Sequence, residues 1–491
     1  MSTGAPFVEV RETHSGVVVL YGDRAFKTKK PVCTPFLDFS STAQRDAACS
    51  REVALNKRLA PDVYLGLGHL RSPGRDPEPM VVMRRMPEET KLARRLDDAD
   101  AMSDVISKLA RMIARFHQSA DRNETIAAEG SPSSLRRRWD NNLDELEDLC
   151  TSSDDVVIVH RIGLLAREYV GGRGVLLADR VRAGRIVDGH GDLLSDDIFC
   201  LQDGPRVLDC LDFDDQLRYL DGIDDAAFLA MDIEFQGHRA VAETFLDAYM
   251  NAAGDDAPAS LVDHYIAYRA IVRAKVDLIR GNQGMQSAHD EANRHLKLAY
   301  EHLLRGRVQL GIVGGLPGTG KTTIATKLAD EVGAVLISTD VIRGELSAAG
   351  VVTGISGSYG EGLYSPANRA IVYGAVLERA QSHLLSGRSV ILDGSWIDEK
   401  ERGFAANIAA ETSTALVMLQ CVVDKESADQ RIVARTKTAS EATPAIAHAM
   451  AATMAPPWHG AATIDTSKTL EDSVADSIRL WRTGAVPRLL L

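Results

Sequence analysis

Gly315-Leu316-Pro317-Gly318-Thr319-Gly320-Lys321-Thr322 decides how the last third of this 491-residue chain folds. The stretch satisfies G-x-x-x-x-G-K-[ST]. Its glycines let the backbone wrap a phosphate with N–H groups turned inward, and the helix that follows offers its positive N-terminus. In that geometry Lys321 reaches the β- and γ-phosphates and the Thr322 hydroxyl binds Mg²⁺. Gly315, Pro317, Gly318, Thr319, Gly320 and Thr323 complete the expected nucleotide cradle, with ATP and Mg²⁺ as cofactors. The context fits too: an apolar run at residues 309–313 precedes the loop and a helical pattern follows to about residue 332.

Outward from this loop, apolar runs at residues 334–338, 389–393 and 414–422 alternate with helical patterns. Strands alternating with helices predict a parallel, doubly wound sheet, so residues 306–491 are expected to form one P-loop kinase domain. Ligands of open α/β sheets sit at the carboxyl ends of the strands. Asp393 closes Ser389-Val-Ile-Leu-Asp393 and is suited to hold the Mg²⁺ shell; a turn or helix cap is the plainer reading. Ser338-Thr-Asp340-Val-Ile-Arg343 follows the second strand of this half. Asp340 is suited to accept the proton of an acceptor hydroxyl, and Arg343 to hold an anionic group on that acceptor. The alternative is an N-cap with a solvated arginine. Arg431 and Arg435 fall one helical turn apart on one face. On a lid, Arg431 would meet the nucleotide and Arg435 would offset charge on the transferring phosphoryl group; two surface arginines are the alternative.

The elements G-L-P-G-T-G-K-T, S-T-D-V-I-R, I-L-D-G-S and R-x-x-x-R-x-x-x-x-S-E-A stand in a familiar order. Over residues 308–480 the chain resembles the small P-loop kinases of the gluconate-kinase, polynucleotide-kinase and zeta-toxin group. That resemblance implies ATP-dependent phosphoryl transfer to a hydroxyl, with Mg²⁺. A true AAA+ machine is not expected, because no sensor region or second-region-of-homology arginine pattern is visible.

Before residue 306 the texture differs. Short β-branched or aromatic runs at residues 8–10, 17–21 and 25–27, separated by Thr13-His-Ser-Gly16 and Gly22-Asp23, predict a three-stranded meander. A helical pattern covers residues 43–59 and stops at Pro61; residues 79–85 read as a further strand. Residues 97–149 are mostly helical, with a break at Ser131-Pro132-Ser133-Ser134. Strands are expected at 198–201 and 207–211 around a hairpin turn, Asp203-Gly204-Pro205, and helical patterns return over 226–304.

His190-Gly191-Asp192-Leu193-Leu194-Ser195-Asp196-Asp197-Ile198 lies between two of these strands, and Leu211-Asp212-Phe213-Asp214 follows. One Asp in a short loop can take the proton of an acceptor hydroxyl. A second oxygen ligand five residues on, and a third on the next hairpin arm, can hold Mg²⁺ against nucleotide phosphates. The constellation resembles the aminoglycoside-phosphotransferase and choline-kinase branch of the protein-kinase-like fold, with its H-G-D-x-x-x-x-N followed by I-D-W/F-E/D. The resemblance implies a bilobal domain over residues 1–305, with an N-lobe at about 1–90 and a C-lobe at about 91–305. It implies Asp192 as catalytic base, Asp197 in the metal-binding Asn position and Asp212 as principal metal ligand. It further implies Thr13–Gly16 as the hairpin over the phosphates, residues 83–87 as the adenine hinge, and a Lys27–Glu52 ion pair that positions the phosphates. Lys29 and Lys30 compete with Lys27, which the alternation Ala25-Phe26-Lys27 favours. His117 reads as structural, and Asp221, Asp224 and Asp225 as helix caps and orienters of the catalytic loop. Two departures stand out: Leu194 where many relatives carry His, and Asp197 where they carry Asn. The extra negative charge beside the phosphates opens an alternative, an N-terminal domain that senses a ligand or nucleotide without turnover and regulates the P-loop domain.

With both halves in this order, and with phrases such as Ala25-Phe-Lys-Thr-Lys-Lys-Pro31, Phe36-Leu-Asp-Phe-Ser40 and Leu59-Ala-Pro-Asp-Val-Tyr-Leu65, the chain resembles a bacterial two-domain group almost end to end. That group joins an aminoglycoside-phosphotransferase-like domain to an AAA-type ATPase domain. The formal net charge is −13 with no basic run, which weighs against a nucleic-acid partner and for a small hydroxyl acceptor held in local cationic pockets. No stretch approaches the roughly 20 apolar residues that cross a bilayer, and Met1–Val10 lacks the pattern of a signal peptide. Six scattered cysteines without a C-x-x-C pair fit reduced thiols, so a cytoplasmic protein is expected.

Overall fold

The computed structural model describes residues 8–12, 16–33, 38–71, 73–74, 76–355, 360–434, 443–453 and 458–484. Strands β1 (Val8–Glu12), β2 (Gly16–Tyr21) and β3 (Arg24–Lys29) form the expected antiparallel meander. β4 (Tyr64–Leu70) and β5 (Glu78–Arg84) complete a sheet ordered β1-β2-β3-β5-β4. The sequence reading passed over β4, whose Tyr-Leu-Gly-Leu-Gly-His-Leu carries two glycines that dilute the strand pattern. Helix α1 (Thr42–Asn56) starts at a capping box between Ser41 and Gln44. It packs Cys49 and Val53 on the sheet with Leu20, Val63, Tyr64 and Val81, and brings Glu52 to β3.

Helices α2 (Ala99–Ser119), α3 (Glu124–Ala128), α4 (Pro132–Leu149), α5 (Ser153–Gly172) and α6 (Gly174–Arg182) follow. Two short hairpin-like pairs come next: β6 (Ile186–Asp188) with β9 (Tyr219–Asp221), and β7 (Ile198–Leu201) with β8 (Gly204–Val207). The strand expected at 207–211 instead ends at Val207, because Asp209 takes φ 62° and turns the chain out of the ladder. Helices α7 (Gly222–Phe235), α8 (Arg239–Ala253), α9 (Ala259–Asn282) and α10 (Ser287–Arg305) close this half.

In the last part, strands alternate with one or two helices. β10 (Gln309–Gly314), α11 (Lys321–Val332), β11 (Val335–Ser338), α12 (Thr339–Ala348), α13 (Pro366–Leu385), β12 (Val390–Asp393) and α14 (Glu399–Glu411) come first. β13 (Ala415–Val422), α15 (Lys425–Val433), α16 (Pro444–Thr453), β14 (Ala462–Asp465) and α17 (Leu470–Gly484) follow. The five strands are parallel in the order β11-β12-β10-β13-β14. Val313, Ile324, Leu328, Ile391, Leu419, Ile464 and Trp481 fill one face of that sheet. The architecture is α/β and multidomain: a five-stranded antiparallel lobe with a helical lobe, then a doubly wound P-loop sheet.

Compactness divides the chain differently from a single cut at 305/306. One unit comprises Met1–Arg137, Ala178–Ala257 and Tyr265–Ala299; the other comprises Arg138–Leu177, Pro258–His264 and Tyr300–Leu491. Within the second unit, fully buried Arg173 donates to the main-chain carbonyls of Leu384, Thr412 and Ser413. These carbonyls end α13 and α14, where helices lack internal partners and carry negative dipole charge. The neighbouring Gly172 has no room for a side chain, since a Cβ there would collide with the Thr412 carbonyl.

Candidate active sites

The P-loop leaves β10 at Gly314 and enters α11 at Lys321. Gly315 (φ 145°) and Gly318 (φ 86°) make the wrap possible. A Cβ would stand 2.6 Å from the Cys421 carbonyl oxygen at the first and 2.5 Å from that of Ala428 at the second. Thr319 locks the loop by donating its hydroxyl to the Leu316 carbonyl at 2.8 Å. Thr322 Oγ1 lies 3.1 and 3.0 Å from the two carboxylate oxygens of Asp393, and Ser338 Oγ donates to the same carboxylate at 3.1 Å. Burial pushes the Asp393 carboxyl above its ordinary range, while the charge of Lys321 and these hydroxyls pull it down. A hydroxyl and a carboxylate converging beside a buried lysine at a helix N-terminus suit Mg²⁺ with ATP phosphates. Lys321 and the loop amides would hold the phosphates; Thr322 and Asp393 would hold the metal.

Arg431, expected on a lid facing the nucleotide, stands beside the loop with its guanidinium on Thr466. Its Nη2 donates to the Thr466 carbonyl at 2.8 Å and its Nη1 to the Thr466 hydroxyl at 3.2 Å. Thr466 in turn donates to the Thr319 carbonyl at 2.9 Å. Thr466 was missed because β14, which delivers it, is only four residues long and has no clear pattern. Arg435 lies outside the described residues. Asp340 opens α12, and Arg343 stands one turn on with Nε 4.0 Å from Asp340 Oδ1. Arg343 is buried against the Tyr364 ring and donates to the Leu363 carbonyl at 3.2 Å.

In the first unit, Asp225 holds the loop that carries His190, Gly191 and Asp192. Its carboxylate accepts from the amides of His190 (2.7 Å) and Gly191 (2.9 Å) and pairs with His117 Nε2 (3.0 Å), whose Nδ1 meets Tyr249 Oη. Burial alone would raise Asp225; His117 and His190 bring it well below the usual carboxylate range. Asp221 caps α7 and binds Arg180, and Asp224 accepts from Arg269. Burial lowers His190 to about 4 and raises Asp192 to about 6, with Asp209 adding to the rise and Arg273 and Arg269 opposing it. A carboxyl near 6 is suited to take a proton near neutral pH.

The expected Lys27–Glu52 pair forms at 2.9 Å, but Glu52 serves two lysines. Lys29 reaches its other oxygen at 2.7 Å and also Asp212 at 2.8 Å; Lys27 also meets Asp209 at 2.9 Å. Lys30 turns away to Glu12. Residues i and i+2 of a strand share a face, so the strand pattern alone could not choose between Lys27 and Lys29. Asp209 was overlooked, though it stands three residues before Asp212. Asp197 is pushed well above its ordinary range, first by burial and then by Asp209 and Asp192. Among the described residues, no group of three or more His, Cys, Asp or Glu is set to hold a metal ion. Residues 13–15 of the expected phosphate hairpin lie outside the described residues. No helix among the described residues is long and apolar enough to cross a membrane.

Comparison with known proteins gives residues 310–457 a match to the family described as an AAA domain. Solved structures with a similar course include the GDP and kanamycin complex of APH(2")-IIia, 19% identical, covering 60% of this chain and 92% of that one, with a TM-score of 0.41. A sugar kinase from Janibacter sp. HTCC2649 is 19% identical over 37% of this chain and 99% of its own, with a TM-score of 0.29. A gluconokinase from Sinorhizobium meliloti 1021 is 15% identical over 37% and 93%, with a TM-score of 0.27. Among curated proteins, the uncharacterized protein Rv2004c of Mycobacterium tuberculosis and the uncharacterized protein Mb2027c of Mycobacterium bovis are each 48% identical over 486 residues, 98% of this chain and 97% of theirs. At that identity over nearly the whole of both chains, this protein belongs to the same family as these mycobacterial proteins.

Proposed function

We propose that the protein is an ATP-dependent phosphotransferase with two nucleotide sites, acting on hydroxyls of small metabolites such as sugars or amino sugars. The observation that carries this reading is the contact of Thr322 Oγ1 with both Asp393 oxygens at the mouth of the P-loop. ATP with Mg²⁺ supplies the phosphoryl group and neutralises its charge. Around it, Lys321 and the loop amides hold phosphate oxygens, Thr322 and Asp393 orient the metal, and Asp340 receives the acceptor's proton. Arg431 braces the loop through Thr466, and Arg435 is assigned to the transferring group.

In the first unit, Asp192 is the base, Lys27 and Lys29 the phosphate cations, and Asp197 and Asp212 the metal ligands once Asp212 leaves Lys29. One observation favours a second reading of that unit, as a nucleotide or ligand sensor that regulates the P-loop: both lysines are fully engaged by carboxylates. Measuring ATP consumption in wild type, Asp192→Ala and Lys321→Ala against sugars, amino sugars, aminoglycosides and 5′-hydroxyl oligonucleotides separates these. Loss of distinct acceptors in each variant supports two catalytic sites. No change in Asp192→Ala with any acceptor leaves the sensor reading. Consumption confined to oligonucleotides refutes the metabolite reading.

A further inference from the structure

Around the carboxyl ends of β11 and β12, three side chains buried to nine-tenths or more each keep a polar atom without a partner: Arg343 Nε, Trp396 Nε1 and Glu401 Oε2. Buried polar atoms are nearly always hydrogen-bonded, so three free ones in one neighbourhood point to a ligand. Arg343 Nε and Asp340 Oδ1 are 4.0 Å apart. That is too far for a hydrogen bond and suits one shared oxygen about 2.8 Å from each. The guanidinium is fixed by the Tyr364 ring and the Leu363 carbonyl, which leaves Nε as the spare donor.

Glu401 Oε1 takes Arg369 at 3.1 Å, and Oε2 is left over. Arg343 is near enough for its charge to act on this carboxyl. Trp396 sits at φ 48°, edge-on to Tyr373, with its amide donated to the Tyr373 hydroxyl at 3.3 Å. Its Nε1 lies beside Gly394 and Thr339, the residue before Asp340. A groove of about 520 Å³ between α13 and α14 reaches Arg369, Tyr373 and Glu401 from outside.

We propose that Arg343, Trp396 and Glu401 form the acceptor subsite of the P-loop unit, and that Glu401 makes it select a neutral or amino polyol over an acceptor that carries a phosphate. This rests on the phosphotransfer reading above. The free carboxylate oxygen takes a hydroxyl or ammonium donor and repels a phosphate. Four cations, Arg343, Arg369, Lys400 and Arg402, stand against five carboxylates, Asp340, Asp398, Glu399, Glu401 and Glu411, so no net positive charge is spare for a second anion. The Trp396 N–H supplies a further hydrogen bond. Arg343, expected from sequence to hold an acceptor anion, here shares the reacting hydroxyl with Asp340.

The test uses the full chain and ATP, with glucose, glucosamine, myo-inositol, glucose 6-phosphate and a 5′-hydroxyl oligonucleotide as probes. Turnover lost in Lys321→Ala belongs to the P-loop. The expected result is Lys321-dependent turnover of an unphosphorylated polyol or amino sugar, with glucose 6-phosphate at least about tenfold poorer. Glu401→Gln, which keeps the shape and the Arg369 contact, raises KM by about tenfold or more with kcat little changed. Trp396→Phe, which removes only the N–H and part of the ring, raises the same KM. Unchanged KM in both variants, or equal use of glucose 6-phosphate, overturns the assignment alone. Absence of Lys321-dependent turnover with every probe overturns the phosphotransfer reading and the assignment with it.

Discussion

Replacing Asp225 by Asn probes what holds the His190–Asp192 loop of the first unit. The carboxylate accepts from two backbone amides and one histidine, at 2.7, 2.9 and 3.0 Å, and it is fully buried. Hydrogen bonds to an ionised group contribute about 1.5–3 kcal/mol each and neutral ones about 0.5–1.5, so neutralising the acceptor costs roughly 1 kcal/mol per bond. The Asn amide group also faces at least one donor with a donor, which adds about 1–3 kcal/mol. The sum is about 4–6 kcal/mol, a large share of a typical domain's 5–15. The sign on the pH axis follows from the same contacts. Asp225 is held below its ordinary range, so its contribution is present above the unfolded carboxylate pKa of about 3.9 and is lost as pH falls below it. Urea unfolding followed by circular dichroism should show this loss at pH 7 and a flatter acid limb in the variant. Hydrogen exchange at the His190 and Gly191 amides should speed up. A loss under about 1 kcal/mol with unchanged amide protection would refute the assignment of Asp225 as the loop's anchor.

Arg173→Met should destabilise the second unit by about 2–5 kcal/mol in denaturant unfolding: three carbonyls lose a charged donor, partly offset because burial already lowers this guanidinium to about 10. Lys29→Met should cost about 3–5 kcal/mol and Lys27→Met less, because Lys29 is the more deeply buried of two lysines that each bridge Glu52 to a second carboxylate. If Asp192 is the base, acceptor turnover at the first unit should fall about tenfold per pH unit below 6, where the carboxyl becomes protonated, while Lys321-dependent turnover follows a different profile.

The P-loop was legible because the loop, its strand and its helix are consecutive, and glycines with positive φ leave a direct mark on sequence. The same holds for the H-G-D loop; of Asp221, Asp224 and Asp225, it is Asp225 whose carboxylate meets the His190 and Gly191 amides. β4 and β14 were not legible, since each is a short or glycine-diluted strand that exists because a neighbouring strand offers its edge.

By itself the sequence determined the fold class, the nucleotide cradle at residues 315–322 and the candidate aspartates, because each depends on backbone geometry within a few residues. Only tertiary structure decided which groups those residues meet. It set Thr322 against Asp393, 71 positions away, and gave Glu52 two lysines rather than one. It placed residues 138–177 with the P-loop sheet through Arg173, and it left Glu401 with a free oxygen near Arg343. The physical reason is the same in each case: charge pairing and helix capping are satisfied in space, and nothing in the local pattern of either partner records the other.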